Sequence, residues 1–265
     1  MSSGFQLARA QADAYERFTR TFMQGSAARL AAAARLAAGD VVLDLACGTG
    51  VVAREVLPLV GTAGRVVGAD LNPGMLAAAR EYVGDAVEWV EASCDALPVD
   101  DGMFDHVLCQ QGFQFFPDLA AAMREAARVL RPGGTLLGTV WATPAHNPYI
   151  EHQLSLLAAI DPTQLGSMQR ATPPNADALL TRAATAAGFA DVSTSLLEHI
   201  VVIHDFGPWF LAQTGSTPWA PVLHGLDDVG RSALVDAMLT RVHEYRAADG
   251  THHLPFASHL LTAVR

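Results

Sequence analysis

The chain has 265 residues, 51% of them hydrophobic and 17% charged, enough for one large α/β domain or two small ones and far from the composition of a disordered segment. A net charge of -10, with only 17 Lys and Arg and no basic cluster to reverse the sign locally, argues against a polyanionic partner, so nucleic acid is not an expected substrate. No apolar run approaches the roughly 20 residues of a spanning helix. Residues 1–10 lack the basic start and apolar stretch of a secretory leader, and Cys47, Cys94 and Cys109 match neither a zinc site nor a redox pair. The expectation is a cytoplasmic protein with reduced thiols, no membrane partner and no metal.

In chain order, residues 5–38 read as one or two helices, with Phe5, Tyr15, Phe18 and Phe22 ahead of an Ala-rich stretch. Short apolar runs then alternate with helical ones. Strands are predicted at 41–46, 65–70, 87–92, 104–110 and 135–141, with helices at 51–60, 73–83 and 119–130 between them. Each strand candidate is nearly continuous in Val, Leu and Ala, as parallel strands covered on both faces require. A doubly wound α/β sheet follows. Asn72-Pro73 marks a helix start, and Arg131-Pro132-Gly133-Gly134 a helix stop.

Beyond Trp141 the pattern loosens, with prolines separating helices near 150–160 and 176–188, and strand-like runs at 192–204 and 256–264. Residues 205–255 read as two Trp-bearing, Pro-rich turns and a helix over 227–247. His252-His253 reads as a solvated turn, since no Cys or carboxylate completes a metal set with His259. The whole is expected to be one domain: a helical cover (1–38), a cofactor-binding core (39–141), and a second half (142–265) whose insertions cover the site.

The chemistry centres on Val42-Leu43-Asp44-Leu45-Ala46-Cys47-Gly48-Thr49-Gly50. Glycines there let the chain turn tightly and let a ligand approach the backbone, while the N–H groups of a helix start favour an anion. Gly48, Gly50 and Ala53, with Asp70 ending the next strand, also fit a dinucleotide pattern. Asp44 discriminates: a pyrophosphate would lie near its charge, whereas the methionine end of S-adenosylmethionine (SAM) brings a carboxylate for the N–H groups and an ammonium for Asp44. Asp70 serves either reading, since both ligands carry a ribose diol.

The segment from Leu43 to Gly50 resembles the first motif of class I SAM-dependent methyltransferases of the ubiquinone/menaquinone-biosynthesis C-methyltransferase-like (type 11) group. Asp70-Leu71-Asn72-Pro73-Gly74-Met75-Leu76 is similar to the second motif, Ala96-Leu97-Pro98 with Phe104-Asp105 to the segment around strand four, and Leu130 to Gly134 to the lead into strand five. The resemblance covers about residues 35–141. It implies a Rossmann-like seven-stranded sheet, mostly parallel with an antiparallel last strand, and methyl transfer from SAM that yields S-adenosylhomocysteine. It also implies Asp44, Ala46, Cys47, Gly48 and Gly50 around the methionine moiety, Asp70 on the ribose, and Leu71 or Met75 on the adenine. Where the family usually places an Asp for the adenine amino group this chain has Ser93, so Cys94 or Asp95 is expected to share that contact.

The segment after strand four, from Cys109 to Asp118, lies at the carboxyl end of the sheet, where open α/β folds place ligands. Gln110 is expected to meet the SAM amine through its backbone carbonyl. Gln111, Gln114 and Phe115, with Tyr15, Trp141 and Tyr149, are the expected contacts of a flat or lipophilic small-molecule acceptor. Displacement at a sulfonium methyl needs alignment in a dry pocket and no obligatory side chain; if a base is used, His146, His152 and His224 are the candidates. Two rivals stay open: an NAD-dependent oxidoreductase, and a protein that binds SAM without transferring methyl. The acceptor, the atom methylated and the oligomeric state, with a homodimer as one option, are not legible.

Overall fold

A computed structural model describes residue 16 and residues 21–164, 166, 172–217 and 219–265. The order of elements is α1 (Gln24–Ala34), β1 (Val41–Leu45), α2 (Val51–Val60), β2 (Arg65–Asp70), α3 (Pro73–Val83), β3 (Glu88–Glu91), β4 (Phe104–Gln110), α4 (Leu119–Val129) and β5 (Leu130–Trp141). Then follow α5 (Pro148–Ile160), α6 (Ala176–Ala186), β6 (Ala190–Ile203), α7 (Phe206–Gly215), α8 (Ala220–His224), α9 (Asp228–Arg241) and β7 (His252–Val264).

The strands form one seven-stranded sheet in the order β3-β2-β1-β4-β5-β7-β6. β1 pairs in parallel with β2 and β4, and β7 runs antiparallel to both β5 and β6. Alternate residues of each central strand feed two cores. Val42, Leu108 and Leu137 pack with α1 and α2 on one face, while Leu43, Val107 and Leu136 pack with α4 and α6 on the other. Burial on both faces is why these strands read as continuous apolar runs.

The helix starts follow their capping residues. The Asn72 side chain accepts from the Gly74 and Met75 N–H groups, with Pro73 at the first helical position, and Asp118 accepts from Ala121. α1 needs no such cap, because a run rich in Ala favours helix and its inner face, Ala27, Leu30, Ala31 and Ala34, is buried.

The structure corrects several element boundaries. Arg131 to Gly134 does not stand outside the sheet: β5 begins at Leu130, opposite Phe104, and passes through a register shift, with Gly133 held by the Arg265 carbonyl. Residues 205–255 are mostly helical, because Pro208 and Pro221 fall in first turns, where the missing N–H costs nothing. His252-His253 opens β7 instead of a solvated turn, with His252 buried and its ring 4.8 Å from that of Phe206. Of the N-terminal cover only residue 16 and those from 21 on are described, so Phe5, Tyr15 and Phe18 lie outside the described residues.

Candidate active site

The loops leaving the carboxyl ends of β1, β2, β3 and β4 converge on one cavity. β1 delivers Leu45, Ala46 and Gly48; β2 delivers Asp70, Leu71 and Asn72; Ser93 and Cys94 follow β3, and Gln110 to Gly112 end β4. Asp70 organises this wall. Its Oδ2 accepts from the Gly48 N–H at 2.8 Å and its Oδ1 from the Asn72 N–H at 2.8 Å, so one carboxylate ties the first loop to the second. Burial raises its pKa, and the backbone N–H groups of Asn72, Gly48 and Leu71 pull it back. Each oxygen keeps a further lone pair for a ligand hydroxyl. The Asn72 Nδ2 is buried there without a partner.

Asp44 lies one layer deeper. It is 1% exposed, does not line the cavity, and its Oδ2 accepts from the Ala53 N–H at 3.0 Å. Burial pushes its pKa up to about 7 against the pull of that N–H, and neighbouring Asp70 adds to the rise. A cation brought near Asp44 would reverse the shift.

Other expected contacts divide. Ala46, Gly48, Leu71, Met75, Ser93, Cys94 and Gln110 line the cavity; Cys47, Gly50 and Asp95 do not. Cys47 is buried, and its N–H donates to the Ala69 carbonyl. Gly50, at φ +82°, starts α2, and a Cβ there would meet the Trp89 ring at 2.6 Å, so the glycine is demanded by packing. Asp95 is exposed and accepts the Ser93 hydroxyl. The Gln110 side chain turns away from the loops, donating to the Met23 carbonyl at 3.0 Å and to the Ser26 hydroxyl of α1.

Two non-glycine residues with positive φ, Ala46 (+56°) and Gln111 (+54°), end β1 and β4 at this cavity. Such backbone costs about 1 kcal/mol or more each and gathers at functional sites. Gly112 permits the close approach of the two loops, since a Cβ there would meet Ala46 Cβ at 2.9 Å. Behind Ser93 and Cys94, Arg128 donates to the carbonyls of Leu97 and Val99 and pairs with Asp101 and Glu125, while Glu125 accepts from the Leu97 N–H. That clamp fixes the loop after β3.

The opposite wall is assembled from distant segments: Phe22 and Met23 before α1, Trp141 at the end of β5, Tyr149 and Ile150 of α5, and Gln213, Ser216, Thr217 and Trp219 from α7 and the turn after it. Gln111, Gln114, Phe115, Trp141 and Tyr149, expected as acceptor contacts, all line the cavity. Trp141, Tyr149, Phe22 and Phe256 pack together there at centroid distances from 4.6 to 5.8 Å, Phe22 and Phe256 edge to face and the other pairs tilted. Tyr149 is fully buried, and burial holds its hydroxyl well above the ordinary phenol range, hence neutral. Among the described lining residues only Asp70 is an acid or base of the carboxylate, His, Lys or Arg kind.

None of the three candidate histidines reaches the cavity. His146 is exposed, with its Nδ1 at 3.1 Å from the Thr143 hydroxyl; His224 is exposed on α8, and His152 lies half-buried on α5. Helical spacing turns them outward, which proximity in sequence to Trp141 does not reveal. Trp219, one of the aromatic residues after Trp141 expected to enclose a flat molecule, also lines the cavity, whereas sequence reading missed Gln213, Thr172 and the cavity role of Asn72, of which only Asn72 sat in a recognisable motif. That reading also missed Glu16, which is 2% exposed, accepts from the Thr49 hydroxyl at 2.6 Å and pairs with Arg54 at 2.7 Å, tying the N-terminal segment to the glycine-rich turn.

Residues 43–138 match the methyltransferase domain family of type 11. The chain is 42% identical over 118 residues, 43% of its own length, to the ubiquinone/menaquinone biosynthesis C-methyltransferase UbiE of Hahella chejuensis. It spans about half the length of that relative, 47%. In fold it is similar to Haemonchus contortus phosphoethanolamine N-methyltransferase 2, solved with SAM (TM-score 0.62, 20% identity, 97% of this chain and 57% of that one). A crystal structure of a Bacillus halodurans protein gives a TM-score of 0.57 at 23% identity, over 91% of this chain and 98% of that one. The matched residues run from within β1 to within β5 and contain the glycine-rich turn and Asp70, so the part of the chain that is similar to methyltransferase domains is the part that bears this wall of the cavity.

Proposed function

We propose that this protein transfers a methyl group from SAM to an uncharged, lipophilic small molecule held in the second half of the same cavity. The observation that carries the reading is the continuity of one cavity from Asp70 to Gln213, in which the one carboxylate among the described lining residues lies at the cofactor end.

The residues present fit SAM. The buried Asp70 carboxylate has lone pairs to spare for the ribose diol, Asn72 offers an unpartnered amide N–H, and Leu71 and Met75 provide apolar cover for a purine. Asp44, charged once a cation is near, suits the ammonium of the methionine moiety. That Ser93 and Cys94 line the cavity, while Asp95 is exposed and holds the Ser93 hydroxyl, supports the first two as partners of the adenine edge. When bound, SAM supplies an electrophilic methyl on a sulfonium.

The chain's own part is to align the acceptor and exclude water, through Phe22, Trp141, Tyr149 and Trp219, in a space whose low polarity favours a reaction that disperses charge. With no His or carboxylate on the acceptor side among the described residues, the acceptor must arrive as a nucleophile that needs no strong base. An electron-rich ring carbon or an acidic hydroxyl meets that condition. The C-methylation named for the relatives supports the first of these, and the aromatic lining suits a quinone-like or similar flat compound.

Titration calorimetry with S-adenosylhomocysteine and with NAD tests the cofactor, and transfer of labelled methyl from SAM to a panel of phenols and quinols tests the reaction. Heat with NAD and none with S-adenosylhomocysteine would end the reading.

A further inference from the structure

A second cavity, which shares no lining residue with the first, lies where β6 runs into α7 and the turn after α9 meets the start of β7. Its donors of fixed sense come from two places. One is the start of α7: Phe206 and Gly207 line the cavity, their N–H groups have no partner within the helix, and Asp205 makes no side-chain cap. The other is Arg246, whose guanidinium can only donate and enters none of the ion pairs among the described residues. A β-bridge sets Arg246 opposite His252, and residues paired in this way present their side chains to one face.

His252 is the group that points to a ligand. It is 4% exposed, lines the cavity, and its Nδ1 is buried without a hydrogen-bond partner, a state that costs free energy until the group is paired. Burial lowers its pKa and the Arg246 charge lowers it further; an anion placed between the two would offset the second effect. The acceptors of the cavity are also defined. His243 gives its Nδ1–H to the Thr240 carbonyl at 2.9 Å, which leaves the Nε2 of the neutral ring to accept, and the Asp205 carboxylate is the other. With His204 the cavity holds three histidines, yet no group of three or more His, Cys, Asp or Glu among the described residues is arranged to hold a metal.

We propose that this cavity holds a phosphate group, as the inorganic ion or as a phosphomonoester, with its oxygens on Arg246, His252 and the α7 N–H groups and its remaining proton given to Asp205 or His243. A lining that mixes fixed donors with a carboxylate suits an anion that keeps a proton near pH 6, as phosphate does, and opposes sulfate, which has none to give. The site stands apart from the methyl-transfer reading. It lies at the start of the helix whose other end, about 10 Å on, carries Gln213 of the acceptor wall.

The test uses the full chain at pH 6 in a chloride buffer, saturated with S-adenosylhomocysteine so that the glycine-rich turn is not open to a competing anion. Calorimetry with inorganic phosphate is expected to show one site per chain and an affinity at least tenfold above that for sulfate. Glycerol 3-phosphate is the second probe: tighter binding than the free ion assigns an ester as the ligand, weaker binding assigns the ion, and either upholds the site. Arg246 is exposed, so Arg246→Gln leaves the fold intact; it should weaken phosphate at least tenfold with S-adenosylhomocysteine affinity unchanged within twofold. No heat with either phosphate probe, equal affinity for sulfate, or an unaltered affinity in Arg246→Gln overturns the proposal. A protein that binds phosphate through Arg246 but binds no S-adenosylhomocysteine would sink the methyl-transfer reading and leave this one standing.

Discussion

The two walls of the cavity are built on different plans. The cofactor wall is made of loop backbone and one carboxylate, contributed by consecutive strands within residues 45–94, and its geometry is that of the parallel sheet itself. The acceptor wall is made of side chains from five separated segments between Phe22 and Trp219, carries aromatic rings and amides, and has no charged group among the described residues. A site that binds one constant ligand can use the backbone, which substitution hardly alters, whereas selectivity among acceptors is held in side chains that can change without disturbing the sheet.

The sharpest way to break this contrast is to remove charge from the cofactor wall. Asp70→Asn keeps one acceptor oxygen for the Gly48 and Asn72 N–H groups but loses a charge-assisted contact of about 2–3 kcal/mol to a ligand hydroxyl. S-adenosylhomocysteine affinity, read by calorimetry, should fall roughly 30–150-fold, and a change under threefold would show that Asp70 only braces the loops. Next, Gly50→Ala drives a Cβ into Trp89 at a left-handed position. It should destabilise by about 2–3 kcal/mol in thermal or urea unfolding, whereas a stability loss below about 0.5 kcal/mol would restore Gly50 to a direct ligand role.

A smaller effect comes from Asp44, whose folded pKa of about 7 lies above the ordinary 3.8. Folding of the free protein therefore takes up a proton between these values, and stability falls as pH rises through that window. Ligand binding has the opposite sign: the ammonium favours the carboxylate, so S-adenosylhomocysteine affinity should weaken by up to about tenfold per unit as pH drops below 7 and level off above it. In Asp44→Asn the profile should be flat; a wild-type profile already flat between pH 6 and 8 would place the ammonium elsewhere. The smallest effect is expected from replacing His146, His152 and His224 together by Ala, which should leave methyl transfer within twofold at every pH. A hundredfold loss would show that the acceptor wall does hold a base.

The cofactor half was legible because its requirements are local. A glycine-rich turn, an acid at the end of the next strand and an Asn-Pro helix start recur at fixed spacings. Even there the roles shifted: Gly50 answers to Trp89, 39 residues on, and Asp95 turns out to serve Ser93. Spacing along a chain cannot show which side of a turn a side chain takes.

The acceptor half was legible only as a set of aromatic residues after Trp141. Tyr149 and Gln213 meet across 64 positions and Gln111 and Ser258 across 147; no local pattern encodes such pairs. What the sequence determined by itself is the sheet, its crossover helices and the cofactor end, since hydrophobic period and turn chemistry act over a few residues. What only the tertiary structure decided is which polar and aromatic groups share the cavity's other wall, because those groups come from distant segments and are brought together by packing.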